Sequence, residues 1–315
     1  MQFNQTLEPL VSVCITAYNH EKYISDAIRG ALMQKCSFPY EIVVGVDVSK
    51  DRTLSICKDF EKANPDKIRI LERKERLGMR GNYHGTIESC RGKYIAMLDG
   101  DDWWREDDKL QLQAEALEKD PEAGMCYTFS RRQTEDGKYT IYPERKPTTD
   151  YQSMILSNPA ENCATMARRD LIMEYYREIA PENHPEWLTD DLPMWFYVAG
   201  RKKVIFIARE SAVHRILPQS GSHFLDHKRI IAFCDSLVDI SLFFDKRNLN
   251  GKMHLKLICK RQNDALWLLS FKGSNREFIA RWFQDIRRNP ILLMNPAPYV
   301  LFIKKIFYRN FRKQQ

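Results

Sequence analysis

Over the first 122 residues, short unbroken apolar runs alternate with stretches whose apolar positions recur every three or four residues. Val11–Ala17 (VSVCITA), 41–46 (EIVVGV), 68–71 (IRIL) and 94–98 (YIAML) are such runs, each closed by polar or turn residues. That is the pattern of strands covered on both faces. Helical periodicity fills 20–33, 53–60 and 82–90, and a fourth helix over 109–118 opens after Asp107-Asp108 and stops at Asp120-Pro121. Strand and helix in strict alternation predict an α/β fold, a mostly parallel Rossmann-like sheet with helices on both faces. The pattern then changes. Glu135-Asp136-Gly137 predicts a hairpin of 124–130 with 138–142, residues 143–162 read as loop, and Asp190-Asp191-Leu192-Pro193 opens a helix through 199. A strand over 203–208 precedes a lid-like loop over 214–223. From 225 the chain reads as helices over 228–244, 253–271 and 276–288, followed by the mixed apolar and basic segment 289–315. The predicted organisation is an α/β domain over 1–224, in halves 1–122 and 123–224, and a helical C-terminal region over 225–315.

Parallel sheets of this kind bind ligands at the carboxyl ends of their strands. Three of those ends are polar here: Thr16-Tyr18-Asn19, Asp47-Ser49 and Asp99-Asp101-Asp102. The last belongs to KYIAMLDGDDWW (93–104), where a buried run breaks into three carboxylates. Like charges so close raise one another's pKa, and a hard divalent cation with oxygen ligands removes that cost. An acidic turn that caps the next helix is the other reading of the same tripeptide. Convergence of three polar ends on one sheet edge favours the metal site, with Asp99 and Asp101 as the pair and Asp102 only capping the next helix.

Charge adds a second region to the picture. The net charge is +7, yet residues 225–315 hold 18 Lys+Arg against 7 Asp+Glu, and the first 224 hold 31 against 35. The positive balance lies wholly in the C-terminal third and implies an anionic partner. The aromatic and basic 289–315 segment suits an anionic membrane surface, or else a helix docked on its own domain with a solvated basic edge. A nucleic-acid partner is disfavoured, because no finger spacing or RRM-type aromatic box occurs and acidic strand ends would repel phosphate. Eight cysteines are scattered singly, the first residues lack a signal-peptide pattern, and no run approaches the ~18 apolar residues of a membrane span. The expected location is the cytoplasm, with peripheral attachment to the inner face of the plasma membrane. Cys163 has no signposted base and reads as packing.

Thr16-Ala17-Tyr18-Asn19, EIVVGVDVSKDRT (41–53), Gly78-Met79-Arg80-Gly81-Asn82, GKYIAMLDGDDWW (92–104) with Lys109-Leu110, and Asp190-Asp191-Leu192-Pro193 follow one another in order. In this the first 224 residues resemble the inverting glycosyltransferases of family 2, which have the GT-A fold, and are most similar to bacterial members that assemble surface polysaccharide or lipopolysaccharide. The resemblance implies a nucleotide-sugar donor (a UDP- or GDP-sugar), a glycan or lipid-linked acceptor, and Mn2+ or Mg2+. It puts Thr16, Tyr18, Asn19, Asp47, Asn82 and Asp99 on the donor side, and Asp99 and Asp101 on the metal, Asp101 more directly. Asp191 becomes the catalytic base, with Asp190 beside it as the alternative. Trp104, Trp187 and Asp190 become acceptor-side candidates, although either Trp103 or Trp104 could instead pack under the metal loop. Val46 stands where many members have an acid, and Arg52 where glycine is usual. The histidine of the later loop, His214 or His223, stays unassigned. A sugar nucleotidyltransferase is the rival enzyme, but Thr16–20 is neither Gly-rich nor basic as its phosphate loop requires.

Overall fold

The computed structural model describes residues 8–140, 147–217 and 226–312, with side chains to 305. In chain order the first elements are β1 (Val11–Ala17), α1 (Ile24–Leu32), β2 (Tyr40–Val46), α2 (Thr53–Ala63), β3 (Ile68–Glu72), α3 (Gly78–Glu88) and β4 (Tyr94–Asp99). Then come β5 (Trp103–Trp104), α4 (Lys109–Lys119), β6 (Ala123–Thr134), α5 (Tyr151–Leu156), β7 (Thr165–Arg168), α6 (Arg169–Ile179), α7 (Asp191–Ala199) and β8 (Lys203–Ile216). Helices α8 (His227–Leu249), α9 (His254–Lys272), α10 (Asn275–Arg288) and α11 (Ala297–Arg312) complete the chain, with a 3₁₀ turn at Pro290–Met294.

The eight strands form one sheet in the order β3-β2-β1-β4-β7-β6-β8-β5. Strands β3, β2, β1 and β4 run parallel, while β7 is antiparallel to both its neighbours and β5 is antiparallel to β8. β1 and β2 are buried almost without a break, which is why they read as continuous apolar runs rather than alternating ones. α1 covers them with Ile24, Ala27, Ile28 and Ala31, one stripe of a helical repeat. Gly30 on α1 is required: a Cβ there would lie 2.9 Å from the Trp104 backbone nitrogen, so its absence lets β5 approach the helix.

The chain divides into two compact units, 1–184 with 194–216, and 185–193 with 217–315. The sequence pattern predicts one boundary at 224 and keeps 185–193 with the sheet. The observed assignment has a local cause: Trp187 packs edge-on against Phe243 of α8 at 5.2 Å, and Ser236 bonds both Leu188 N–H and the Glu186 carbonyl. Within this second unit Leu266, Leu269 and Phe278 form a small core, and Arg281 makes a two-pronged pair with Asp235 at 2.7 and 2.8 Å. Ser274 and Glu277 close a reciprocal capping box at the start of α10. Lys305 is 7% exposed and donates to the carbonyls of Leu269 and Gly273 at 2.6 and 2.7 Å, capping the C-terminal end of α9.

Candidate active site

The acidic turn joins β4 to β5, and backbone bonds fix its shape. Gly100 N–H donates to the Thr16 carbonyl and Asp102 N–H to the Asp99 carbonyl, both at 2.9 Å. A Cβ at Gly100 would sit 2.8 Å from His20 Nδ1 and 2.9 Å from the Thr16 carbonyl, so the turn tolerates glycine alone. Thr16 and Asp99 are register partners on adjacent parallel strands, and the Thr16 hydroxyl reaches Asp99 Oδ1 at 3.5 Å. Asp99 Oδ2 accepts from Asn162 Nδ2 at 2.9 Å, and Asn162 is itself oriented by the Tyr83 hydroxyl at 2.9 Å. Asp101 is half-buried, and burial first, then the charge of Asp102, holds its carboxyl above the ordinary range. An acid in that position is ready to accept a cation.

Asp102 departs from its predicted role. It is 1% exposed, and its Oδ1 accepts Arg215 N–H at 2.8 Å rather than capping α4. Its Oδ2 lies 3.5 Å from His214 Nδ1. Burial alone would lower the His214 pKa, but the charges of Asp102 and Glu161 outweigh it and raise it to about 10, so this imidazole is a cation at neutral pH. Glu161 accepts from Arg132 Nη2 and Nε at 2.7 and 3.0 Å; against the effect of burial, His214 and Arg132 keep it ionised. Arg215 donates to the Asp101 carbonyl at 2.8 Å and to Asp26 of α1 at 2.6 Å, with its guanidinium 5.1 Å from the Tyr23 ring centre. His214 and Arg215 therefore belong to β8 and brace the acidic turn, where the sequence pattern predicts a lid; residues 218–225, with His223, lie outside the described residues. Glu161, Asn162 and Arg215 are the site residues that sequence reasoning missed, and His214, named there without a role, is found bracing the turn. The only signal was a polar pair ending a strand, His214-Arg215.

The other predicted donor residues divide by environment. Tyr18 is half-buried with the Arg76 guanidinium 4.7 Å from its ring centre, and exposed Asn19, at φ 54°, accepts Lys50 N–H at 2.9 Å. These two stand at the end of β1 beside Thr16. Asp47 and Asn82 do not line open space: both are 3% exposed. Asp47 accepts N–H groups from Val48, Leu77 and Gly78 at 2.9, 3.0 and 2.9 Å, and so closes the start of α3. Asn82 donates to the Gly45 carbonyl at 2.8 Å and accepts from Arg73 at 3.0 Å. Trp104 is likewise corrected. It is 1% exposed, its indole N–H donates to the Cys163 carbonyl at 2.7 Å, and it presents no face to an acceptor. Trp187, 3% exposed, is a core residue of the second unit for the packing reason given above. Asp190 and Asp191 also fall in that unit; Asp190 is 8% exposed, whereas half-buried Asp191 accepts Leu192 N–H at 2.8 Å and the Thr189 hydroxyl.

The donor set fits a hard divalent ion. Asp99 and Asp101 offer carboxylate oxygens, and Asp101 sits where burial and Asp102 oppose its own charge. Among the described residues, the group of three whose ligand-type atoms lie within 4.8 Å of one another is a different one: Asp102, Cys163 and His214. Its chemistry argues for an ion pair instead, since His214 is held protonated and burial pushes the Cys163 thiol well above its usual range.

The model of glycosyl transferase family 2 matches residues 12–175. A Bacillus subtilis protein named as a teichuronic acid biosynthesis glycosyltransferase, TuaG, is 30% identical over 164 residues, covering 50% of this chain and 62% of its own. Escherichia coli chondroitin synthase is 32% identical over 148 residues, 45% of this chain and 21% of its own. The chain thus spans less than two thirds of each of these relatives. Among solved structures, S. aureus TarS 1-349 in complex with UDP-GlcNAc aligns with TM-score 0.63 at 14% identity, over 97% of this chain and 92% of that one. The mannosyltransferase PcManGT from Pyrobaculum calidifontis, in complex with GDP-Man and Mn2+, aligns with TM-score 0.53 at 16% identity, over 98% and 89%. These likenesses establish the GT-A fold with an additional helical C-terminal region. With more than half of its residues matched by the family model, the chain belongs to glycosyl transferase family 2.

Proposed function

We propose that this chain transfers a sugar from a UDP- or GDP-sugar to a hydroxyl of a glycan or lipid-linked acceptor, with inversion, in bacterial cell-surface polysaccharide or lipopolysaccharide assembly. The observation that carries this is the acidic turn after β4, where Asp101 is half-buried beside Asp102 and braced by Arg215 and His214. Asp99 and Asp101 would hold Mn2+ or Mg2+, which when bound neutralises a diphosphate and stabilises it as a leaving group. Thr16, Tyr18 and Asn19 at the end of β1 bind and orient the donor's nucleotide end. Asp191 takes the acceptor's proton as the acceptor oxygen bonds to the anomeric carbon, while the bond to the diphosphate breaks on the opposite face. We assign this role to Asp191 over Asp190 because Asp190 is almost fully buried. The work is placed in the cytoplasm, at the inner face of a membrane.

A thermal-shift screen of nucleotide sugars with and without Mn2+ tests the reading, because a ligand that binds only the folded state raises its stability. A rise with one UDP- or GDP-sugar that vanishes on chelation supports it, and no rise with any of them sinks it. The stereochemistry of the product anomeric centre tests inversion.

A further inference from the structure

The second unit pairs its acids internally and leaves several of its cations outside. All seven Asp and Glu residues after Leu225 have partners within that unit. Asp226 caps α8, Asp245 accepts Met253 N–H at 2.9 Å, and Glu277 closes the α10 capping box. Asp235 and Asp285 take Arg281, Asp239 takes Arg261, and Asp264 takes Lys260. Among the described residues, Lys272, Arg276, Arg287, Arg288 and Lys304 are exposed and face no acid. Part of the positive charge counted in the sequence is therefore displayed rather than cancelled.

The same helices expose a connected apolar surface. Trp267 is 57% exposed and Phe271 69%, the two rings meeting edge-on at 5.1 Å on α9. Trp267 shares a groove with Val300 of α11, which is 50% exposed, and Ile303 follows one turn later. The Tyr299 hydroxyl bonds the Leu293 carbonyl at 2.9 Å, tying this helix to the 3₁₀ turn that carries Met294, 83% exposed. Soluble monomers rarely leave such a patch open to water. Among the described residues no helix is long and apolar enough to cross a membrane.

We propose that this face docks on an anionic lipid bilayer, with Trp267, Phe271, Met294, Val300 and Ile303 entering the headgroup boundary and the unpaired cations meeting lipid phosphates. Apolar insertion next to unpaired cations is the combination an interfacial surface needs. A second copy of the chain is a poor occupant, because it would bring the same uncompensated cations against these. The proposal adds a docking face to the membrane-surface reading above and is independent of the sugar-transfer chemistry, so either can fail alone.

The test is co-sedimentation of the full chain with phosphatidylcholine vesicles, with and without about 30% phosphatidylglycerol. The expected result is binding to the anionic vesicles, at least ~10-fold weaker on neutral ones or at about 0.5 M salt. W267S/F271S and R287Q/R288Q should each weaken it about tenfold while the chain stays folded by circular dichroism, because all four residues are exposed. Trp267 emission should shift to the blue on binding, and W267F should lose the shift while retaining the binding. Failure to bind anionic vesicles, or equal binding by W267S/F271S, overturns the proposal. So does a dimer in sedimentation equilibrium that W267S/F271S dissociates, which would give the face to a second copy.

Discussion

Two parallel strands, β2 and β4, flank β1 and each lead into aspartate, and the two ends meet different fates. At the end of β2, Asp47 is surrounded by donors: three backbone N–H groups reach its two oxygens, and the carboxylate becomes part of the fold. At the end of β4, Asp101 is half-buried next to another carboxylate, and burial and Asp102 both oppose its charge. One carboxylate is already answered by the backbone, the other calls for a cation. Aspartate at a strand end is thus not a functional signal until its local donors are counted.

The comparison breaks if the two residues respond alike to loss of charge. Asp101→Asn should cost about 10³-fold in metal-dependent transfer, the scale of removing an electrostatic contact to a developing charge. Its melting temperature without metal should be unchanged or higher, because a buried like-charge repulsion is relieved. Steady-state assays of nucleoside diphosphate release, set beside calorimetry, check both halves. Asp47→Asn should do the reverse. The new amide must turn an N–H toward Leu77 or Gly78, leaving buried donors unanswered at a cost of about 2–3 kcal/mol. Urea unfolding should show that loss while Mn2+ affinity stays within about twofold. A variant that unfolds normally but has lost its metal would move Asp47 into the site.

The same contrast explains what the sequence revealed and what it hid. Strands β1, β2 and β4 are buried on both faces, so their apolar runs predict their bounds to within a residue. α3 begins at Gly78, four residues before its predicted start at 82, because its first N–H groups are satisfied by Asp47, 31 positions away, a cap that no local pattern encodes. β8 runs to Ile216 rather than 208, since its second half is studded with Arg209, Glu210, His214 and Arg215 and reads as loop. β7 and α6, over 165–179, carried no predicted element; the strand has only four residues. At the site, Thr16, Asp99 and Asp101 were legible as strand-end chemistry. Their braces Asn162 and Arg215 were not, and His214 was named without a role, because all three arrive from elements more than 60 positions along the chain. Trp104 was ambiguous in sequence, and Gly30, which admits β5 against α1, helps decide it.

A buried cation packed on Trp104 gives the last test, a slope of up to about 1.4 kcal/mol per pH unit. Lys109 is 1% exposed, with its ammonium 4.3 Å from the Trp104 ring centre and bonded to Gln113 Oε1, and burial lowers its pKa to about 7. Its polar neighbours are an amide and cysteines, so it does not answer the charge of Asp101. In the unfolded chain its pKa returns to the ordinary lysine range near 10.4. Between about pH 7 and pH 10 the unfolded state then binds more protons than the folded one, and this residue's contribution to stability rises with pH. Lys109→Met keeps the length of the side chain and removes the titration. Urea unfolding from pH 7 to 9 should find the variant's advantage over the parent greatest at pH 7 and shrinking as pH rises. A difference independent of pH would mean that Lys109 keeps its proton in the fold.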